Sequence, residues 1–140
     1  MFIKTLLALT KDLFFVGKIQ AAIQSLPQGE PGPQWQGLFV RSEADFLARL
    51  EVVSPDLALL DLQATHVDVY KLIEMAVTRG VPVLAFGRHT EPQSLRRARQ
   101  AGAVRAVPNS TLVTKFALLL EQATNPATPS VSLEADLEDA

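Results

Sequence analysis

Short, nearly continuous apolar runs alternate with amphipathic segments along most of this 140-residue chain. The runs PDLALLDL (55–62) and VPVLAFG (81–87) have the length of strands and are apolar almost throughout. Such runs are typical of strands that are covered on both faces, as in parallel sheets. A strand followed by a helix recurs five times within residues 1–122. This order predicts an α/β fold, a five-stranded parallel doubly wound sheet with helices on both faces.

The ends of the predicted helices carry residues that cap helices well. Ser, Thr and Asp side chains accept hydrogen bonds from the first backbone amides of a helix, and glycine adopts the left-handed conformation that often ends one. The expected caps are, in chain order, Asp12, the pair Ser42 and Asp45, Gly80, the pair Thr90 and Gln93, Gly102, and Ser110 at the start of one last helix, STLVTKFALLLEQA.

The formal charge is spread unevenly along the chain. The net charge is −2, but residues 123–140 contribute −4, which leaves +2 for residues 1–122. Those last residues are also rich in Ala, Thr, Ser and Pro and contain no basic residue. We therefore expect a folded domain at 1–122 and an acidic, disordered C-terminal tail at 123–140. The four acidic residues of the tail are Glu134, Asp136, Glu138 and Asp139.

Composition excludes several classes of function. The chain has no cysteine, which excludes disulfides and thiolate metal sites and is compatible with a reducing cytoplasm, the location we expect. No segment approaches the roughly 18 consecutive apolar residues of a membrane span, so we expect no membrane association. The two histidines, His66 and His89, are too few and too far apart to suggest a metal site. We expect no catalytic residues, no resident metal and no cofactor.

Polar and small residues follow several predicted strands. Because functional groups of parallel sheets gather at the carboxyl ends of the strands, these residues are expected to converge at one edge. They are Thr10, Lys11, Asp61, Gly87 and Asn109.

The pattern resembles the receiver domain of bacterial two-component response regulators over nearly all of residues 4–122. The resemblance is carried by PDLALLDL, VPVLAF and ARQAGAVRAVPNS and by the spacings between them. It implies the strand order 2-1-3-4-5. It also implies that Asp61, which ends the third strand, stands at the position that accepts a phosphoryl group in the family.

The residues around that aspartate depart from the family pattern. Thr10 and Lys11 stand where the family has an acidic pair that helps to hold Mg²⁺, and Asp12 comes one position too late. Gly87 replaces a Ser or Thr hydroxyl, and Asn109 replaces a lysine. Phosphoryl transfer depends on such groups to neutralise charge. The resemblance is therefore to a degenerate, or pseudo-, receiver without enzymatic activity.

Lys11 suggests what Asp61 does in the absence of those groups. We hypothesise that the Lys11 ammonium approaches the Asp61 carboxylate and takes the place of the missing cation, because an unpaired buried carboxylate is costly. The alternative is that Lys11 points to solvent while backbone amides or water hold Asp61.

Five arginines lie within 18 residues and predict a partner interface on the fourth helix and fifth strand. In the resembled family this face is used for dimerisation or partner binding, and arginine is enriched at interfaces. The acidic tail is a further candidate to lie across it, and a solvated helix face is the alternative. An excess charge of +2 argues against nucleic acid as a partner. The arginines are Arg88, Arg96, Arg97, Arg99 and Arg105.

These observations predict a non-catalytic signal-transduction module that acts by phosphorylation-independent protein–protein interaction, with another protein or with itself. No output domain follows residue 122, so we expect an effect through binding. A first alternative is an atypical response regulator phosphorylated on Asp61, which would need Mg²⁺. A second is a small-ligand-binding domain, with space for the ligand left by Gly87 and Asn109.

Overall fold

A computed structural model describes residues 3–26 and 34–124. Five strands alternate with helices as predicted, except that two helices follow the last strand. In chain order the elements are β1 Ile3–Leu9, α1 Leu13–Gln24, β2 Gln34–Val40, α2 Glu43–Val53, β3 Leu57–Asp61, α3 Val69–Thr78, β4 Val83–Gly87, α4 Pro92–Ala101, β5 Arg105–Pro108, α5 Asn109–Thr114 and α6 Phe116–Thr124.

The five strands form one parallel sheet in the order β2-β1-β3-β4-β5. This confirms the predicted fold class and strand order. The apolar runs of the central strands are buried on both faces because alternate residues enter different cores. Leu60 of β3 packs beneath α2, α3 and α4, whereas its neighbour Leu59 packs beneath α1, α5 and α6.

Most of the predicted helix caps are present. The Asp12 side chain accepts from the Phe14 amide, and the Ser42 hydroxyl accepts from the Asp45 amide. Gly80, which directly follows the end of α3, and Gly102, at the end of α4, both have positive φ angles, 77° and 119°. These two side-chain hydrogen bonds and two glycine conformations explain why the helices begin and end where the sequence indicates.

Two predicted helix starts are wrong. Helix α4 begins at Pro92 after Glu91, and no side chain caps it. Proline is favoured in the first helical turn, so the helix starts too late for Thr90 to cap it. The last helix begins at Asn109, and Ser110 lies inside it.

The chain breaks after Thr114, so the single predicted helix is divided into α5 and α6. The Thr114 hydroxyl donates to the carbonyl of Ser110, a type of bond that bends helices. Helix α6 ends at Thr124, two residues beyond the predicted domain boundary. The remainder of the predicted tail, 125–140, lies outside the described residues. Within the described part of the chain, no helix is long and apolar enough to span a bilayer.

Candidate functional site

The carboxyl ends of β1 and β3 place Thr10 beside Asp61. Asp61 is the last residue of β3, and Thr10 directly follows β1, which pairs with β3. Both side chains are buried, with Asp61 3% exposed and Thr10 1% exposed. Asp61 thus lies at the carboxyl ends of the strands, as the sequence predicted. Because it is buried, its carboxylate requires hydrogen-bond donors.

Both oxygens of the Asp61 carboxylate accept hydrogen bonds. Thr10 Oγ1 donates to Oδ2 at 2.6 Å, and the Gln63 amide donates to Oδ1 at 2.9 Å. Burial nevertheless raises the pKa of Asp61, because desolvation outweighs the lowering effect of these two bonds. The negative charge of Asp12 raises the pKa further.

The hypothesised pair between Lys11 and Asp61 is not formed. Both residues line the same pocket, but no ion pair joins them, and the carboxylate is held by a hydroxyl and a backbone amide. Lys11 remains partly exposed. Asp12 caps α1 with Oδ1 and also lines the pocket with Asp61.

Gly87 does not leave the free space that the sequence suggested. A β-carbon built at this position would lie 3.3 Å from Cβ and from Cδ1 of Leu62. The side chain of Leu62 therefore occupies the space into which a larger residue at position 87 would extend. Gly87, which ends β4, is buried and does not line the pocket.

Asn109 binds to the loop that follows β3. Its Nδ2 donates to Oε1 of Gln63 at 3.0 Å. Its Oδ1 is buried and accepts no hydrogen bond. Asn109 and Asp61 are therefore connected through one residue, since Gln63 binds Asn109 with its side chain and Asp61 with its backbone amide.

These residues surround an open pocket of about 470 Å³. The pocket carries two basic and two acidic side chains, so its charges roughly cancel. Its lining consists of Lys11, Asp12, Phe15, Asp61, Gln63, Thr65, Arg88 and Asn109.

The pocket does not fit Mg²⁺ as the resembled family would bind it. Mg²⁺ needs oxygen ligands in octahedral geometry, usually including one or two carboxylates. Lys11 adds a positive charge to the lining of the pocket, and Asp12 uses one oxygen of its carboxylate as a helix cap. Among residues 3–26 and 34–124, no three His, Cys, Asp or Glu residues are grouped to hold a metal ion.

The structure separates the five arginines into two groups. Arg88 lines the pocket, whereas the other four lie on α4 and at the start of β5. We refer to Arg96, Arg97, Arg99 and Arg105 as the arginine surface. Arg96 and Arg97 are exposed, and Arg99 and Arg105 are partly exposed.

Two members of the arginine surface make contacts within the domain. The guanidinium carbon of Arg97 lies 4.0 Å from the centroid of the Tyr70 ring on α3, a cation–π contact. Arg105 Nη1 donates to the carbonyl of Val104 at 2.8 Å. Around the axis of α4, Arg99 lies on the opposite side from Arg97, and Arg96 lies on the outer face between them.

Sequence reasoning missed three contributors to the site. Gln63 bridges Asp61 and Asn109, Leu62 fills the space above Gly87, and Phe15 forms part of the pocket wall. The bond from the Gln63 amide to Asp61 could have been predicted from the sequence, since an aspartate side chain often accepts from the backbone amide two residues later. The positions of Leu62 and Phe15 depend on packing between elements that are distant in sequence.

Comparisons with known proteins show the fold through structure alone. No family model and no curated protein sequence matches the chain. A signal receiver domain of an HD domain-containing protein from Pseudomonas fluorescens Pf-5 matches with a TM-score of 0.74 at 14% identity, over 88% of each chain.

Two further receiver structures match over most of the chain. The response regulator domain of CheB from Thermotoga maritima has a TM-score of 0.71 at 15% identity, over 91% of this chain and 99% of its own. The receiver domain of a DNA-binding response regulator from Colwellia psychrerythraea 34H has a TM-score of 0.68 at 19% identity, over 85% and 99%. The chain therefore has the fold of response-regulator receiver domains.

Proposed function

We propose that this receiver-fold chain is a non-catalytic signal-transduction module that acts by protein–protein interaction without phosphorylation. The observation that carries the proposal is the packing around Asp61. The carboxylate is buried and bonded to Thr10 and Gln63, and the place of the family's hydroxyl is filled by Leu62 against Gly87.

The charges near Asp61 support the absence of phosphoryl transfer. The transferred group needs positive charge positioned where its oxygens develop negative charge. In this pocket Asp12 adds a negative charge that raises the pKa of Asp61, and Asn109 is neutral and bonded to Gln63. Lys11 is present, but it makes no ion pair with the carboxylate.

The arginine surface is the proposed binding face. Helix α4 contains three arginines and no acidic residue, so it offers guanidinium donors that pair well with carboxylates. A twofold dimer that places α4 against α4 would bring like charges together, which is unfavourable. A protein with an acidic surface is therefore the favoured partner, and a homodimer is the alternative.

The first experiment is an amide NMR titration of the full chain with Mg²⁺, followed by Mg²⁺ with beryllofluoride, a mimic of the phosphorylated aspartate. We expect no shifts near Asp61, Gly87 and Asn109 that saturate at millimolar Mg²⁺. Asp61→Asn is the control that identifies non-specific ion effects. Saturable shifts that disappear in Asp61→Asn and extend to α4 would overturn the proposal.

Sedimentation velocity separates the two kinds of partner. We expect the full chain to remain a monomer up to about 100 µM, a concentration at which a stable dimer interface would be populated. A dimer that dissociates in Arg96→Glu would instead identify a second copy as the partner.

Two alternative functions each have one supporting observation. A working phosphoacceptor is supported by the position of Asp61 in an open pocket with Lys11 and Arg88. Mass spectrometry after incubation with acetyl phosphate would show an adduct that is absent from Asp61→Asn. A ligand-binding domain is supported by the pocket volume of about 470 Å³, which is within the usual range for small ligands. A ligand-dependent rise in Tm would favour it.

A further inference from the structure

Helix α4 presents one side that is basic and faces no described acidic residue. Leu95 and Ala98 pack on the sheet, and Arg97 lies against Tyr70 of α3. The cleft at that side of α4 also contains Asp68 and Glu74. Arg96 and Arg99, three residues apart, are neighbours on the helix surface, and Arg99 lies on the side away from this cleft.

This basic side borders the edge of the sheet. Strand β5 is the last strand in the sheet order, and α4 packs on β4 and β5. Because α3 occupies one side of α4, Arg99 lies on the side toward β5, whose first residue is Arg105, and Arg96 lies next to it on the outer face. Neither Arg96 nor Arg99 makes an ion pair with a carboxylate in the described ranges.

The chain itself supplies a segment of complementary charge. Residues 134–139 contain four acidic residues, and residues 125–140 contain no basic one. We infer that this acidic segment, residues 134–139, binds the β5 side of the arginine surface and competes there with the proposed partner. The competition rests on the proposed function, whereas the binding of the segment does not.

The length of the chain beyond α6 is sufficient for this contact. In this fold the helices run antiparallel to the strands, so Thr124 at the end of α6 lies toward the amino-terminal ends of the strands, the end at which β5 begins with Arg105. Helix α6 packs on β3 and β4, so the segment has to pass β5 to reach α4. Ten residues from Thr124 to Glu134 reach up to about 33 Å. A path past β5 and through the depth of the sheet and one helix is roughly 30 Å.

Covalent connection strengthens a contact that would be weak between separate molecules. A segment on a short linker is present at an effective concentration of about millimolar, so a few exposed charge pairs can keep it bound at low salt. The same pairs are screened within a Debye length of roughly 8 Å at physiological ionic strength. The bound fraction is therefore expected to fall steeply as salt is added.

The domain has a second surface, an apolar groove, that is an alternative site for the same segment. An apolar groove of about 340 Å³ between α1 and the α5–α6 pair is lined by Leu26, Val113 and Ala117 among others. It could take Leu133 and Leu137, but its lining contains a single cation, Lys18, which already lies over the Phe14 ring. Four carboxylates would gain little there, so the arginine surface is favoured.

Paramagnetic NMR on the full chain tests where the segment binds. The chain lacks cysteine, so Ala140→Cys gives a single site for a nitroxide label. We expect at least about a twofold loss of amide intensity at Arg96, Arg99 and Arg105 in about 20 mM salt, with recovery in about 0.5 M salt. Loss at Lys18 and Val113 instead would place the segment in the groove, and no loss at either surface would show that it does not bind. Both results would overturn the inference.

Charge-neutral variants provide the matched control. Neutralising the segment should restore the α4 intensities, whereas neutralising two exposed acids on α2 and α6 should not. The control neutralises two charges and the segment variant four, so a restoration by the control of half that size or more would indicate a general effect of charge and contradict the inference. The segment variant is Glu134→Gln, Asp136→Asn, Glu138→Gln and Asp139→Asn, and the control is Glu51→Gln and Glu121→Gln.

A peptide of residues 132–140 tests competition without knowledge of the partner. The segment variant should bind this peptide at least about fivefold more tightly than the native chain, because no attached acidic segment competes with the peptide. Equal affinities would contradict the competition. Failure of the proposed function is a separate result, since it is read from the beryllofluoride response of Asp61, which does not involve residues 134–139.

Discussion

Thr10 Oγ1 donates a 2.6 Å hydrogen bond to Asp61 Oδ2 and so joins the ends of β1 and β3. The same hydroxyl oxygen accepts from the Asp12 amide at 3.2 Å. One side chain therefore stabilises a buried carboxylate and the start of α1. In this receiver fold, an aspartate at the end of β3 is thus part of a structural contact.

Thr10→Val removes that donor and preserves the shape of the side chain. We expect the free energy of unfolding at pH 7 to fall by about 1–3 kcal/mol, because the carboxylate loses a charged hydrogen bond without gaining water. The pKa of Asp61 should rise further. Urea denaturation and carboxyl NMR measure both effects. Thr10→Ser keeps the hydroxyl and should lose much less stability, so equal losses in the two variants would contradict this role.

Asp61→Asn tests the pH dependence of stability. The pKa of Asp61 is raised in the folded state, so the folded protein binds a proton more readily than the unfolded chain does. Native stability relative to Asp61→Asn should therefore increase as pH falls from 7 through the folded pKa, and level off below the unfolded pKa of about 3.9. A native chain that loses stability relative to the variant on acidification would reverse the assigned direction.

Gly87→Ala tests the packing of Leu62. The added methyl group would lie 3.3 Å from two carbons of that side chain, so we expect a loss of about 1 kcal/mol. Gly17→Ala is the control, because nothing lies within 4 Å of its added carbon. In helix α1 it should stabilise the protein by about 0.5–1 kcal/mol. A double-mutant cycle with Leu62→Ala should show coupling, and strictly additive effects would rule out the contact.

Arg97→Lys tests the contact with Tyr70. A lysine keeps the charge but loses the planar group that lies over the ring, so we expect a loss of about 0.5 kcal/mol in urea denaturation. Arg96→Lys, on the neighbouring exposed residue, should have no measurable effect. The contact would be unimportant for stability if the two variants unfolded at the same urea concentration.

The fold could be predicted because its signals are local and agree with one another. Apolar runs such as 55–62, caps such as Asp12 and Ser42, and glycines such as Gly102 each indicate one element. The cap of helix α4 was predicted one residue too early, because the preference of Pro92 for the first turn prevails over a cap at Thr90. The break between α5 and α6 follows Thr114, whose hydroxyl-to-carbonyl bond is not indicated by the apolar pattern.

The site was predicted less completely because its contacts join distant parts of the chain. The sequence placed Thr10, Lys11 and Asp61 near one another, but charge alone favoured Lys11 as the partner of the carboxylate. Thr10 directly follows the last residue of β1, and its short side chain is held in place there, whereas Lys11 comes one residue later and is partly exposed. The partner of the Asp61 carboxylate is therefore the buried hydroxyl of Thr10, whereas the sequence had predicted the ammonium of Lys11.

The packing of Leu62 on Gly87 also bears on how this chain could acquire a hydroxyl at position 87 by mutation. A hydroxyl residue at position 87 would meet Leu62, and a smaller residue at position 62 would first leave a void over the glycine. Because each single step is expected to cost stability, the two positions are epistatic. A hydroxyl at position 87 is therefore reached either through a less stable intermediate or by two changes at once.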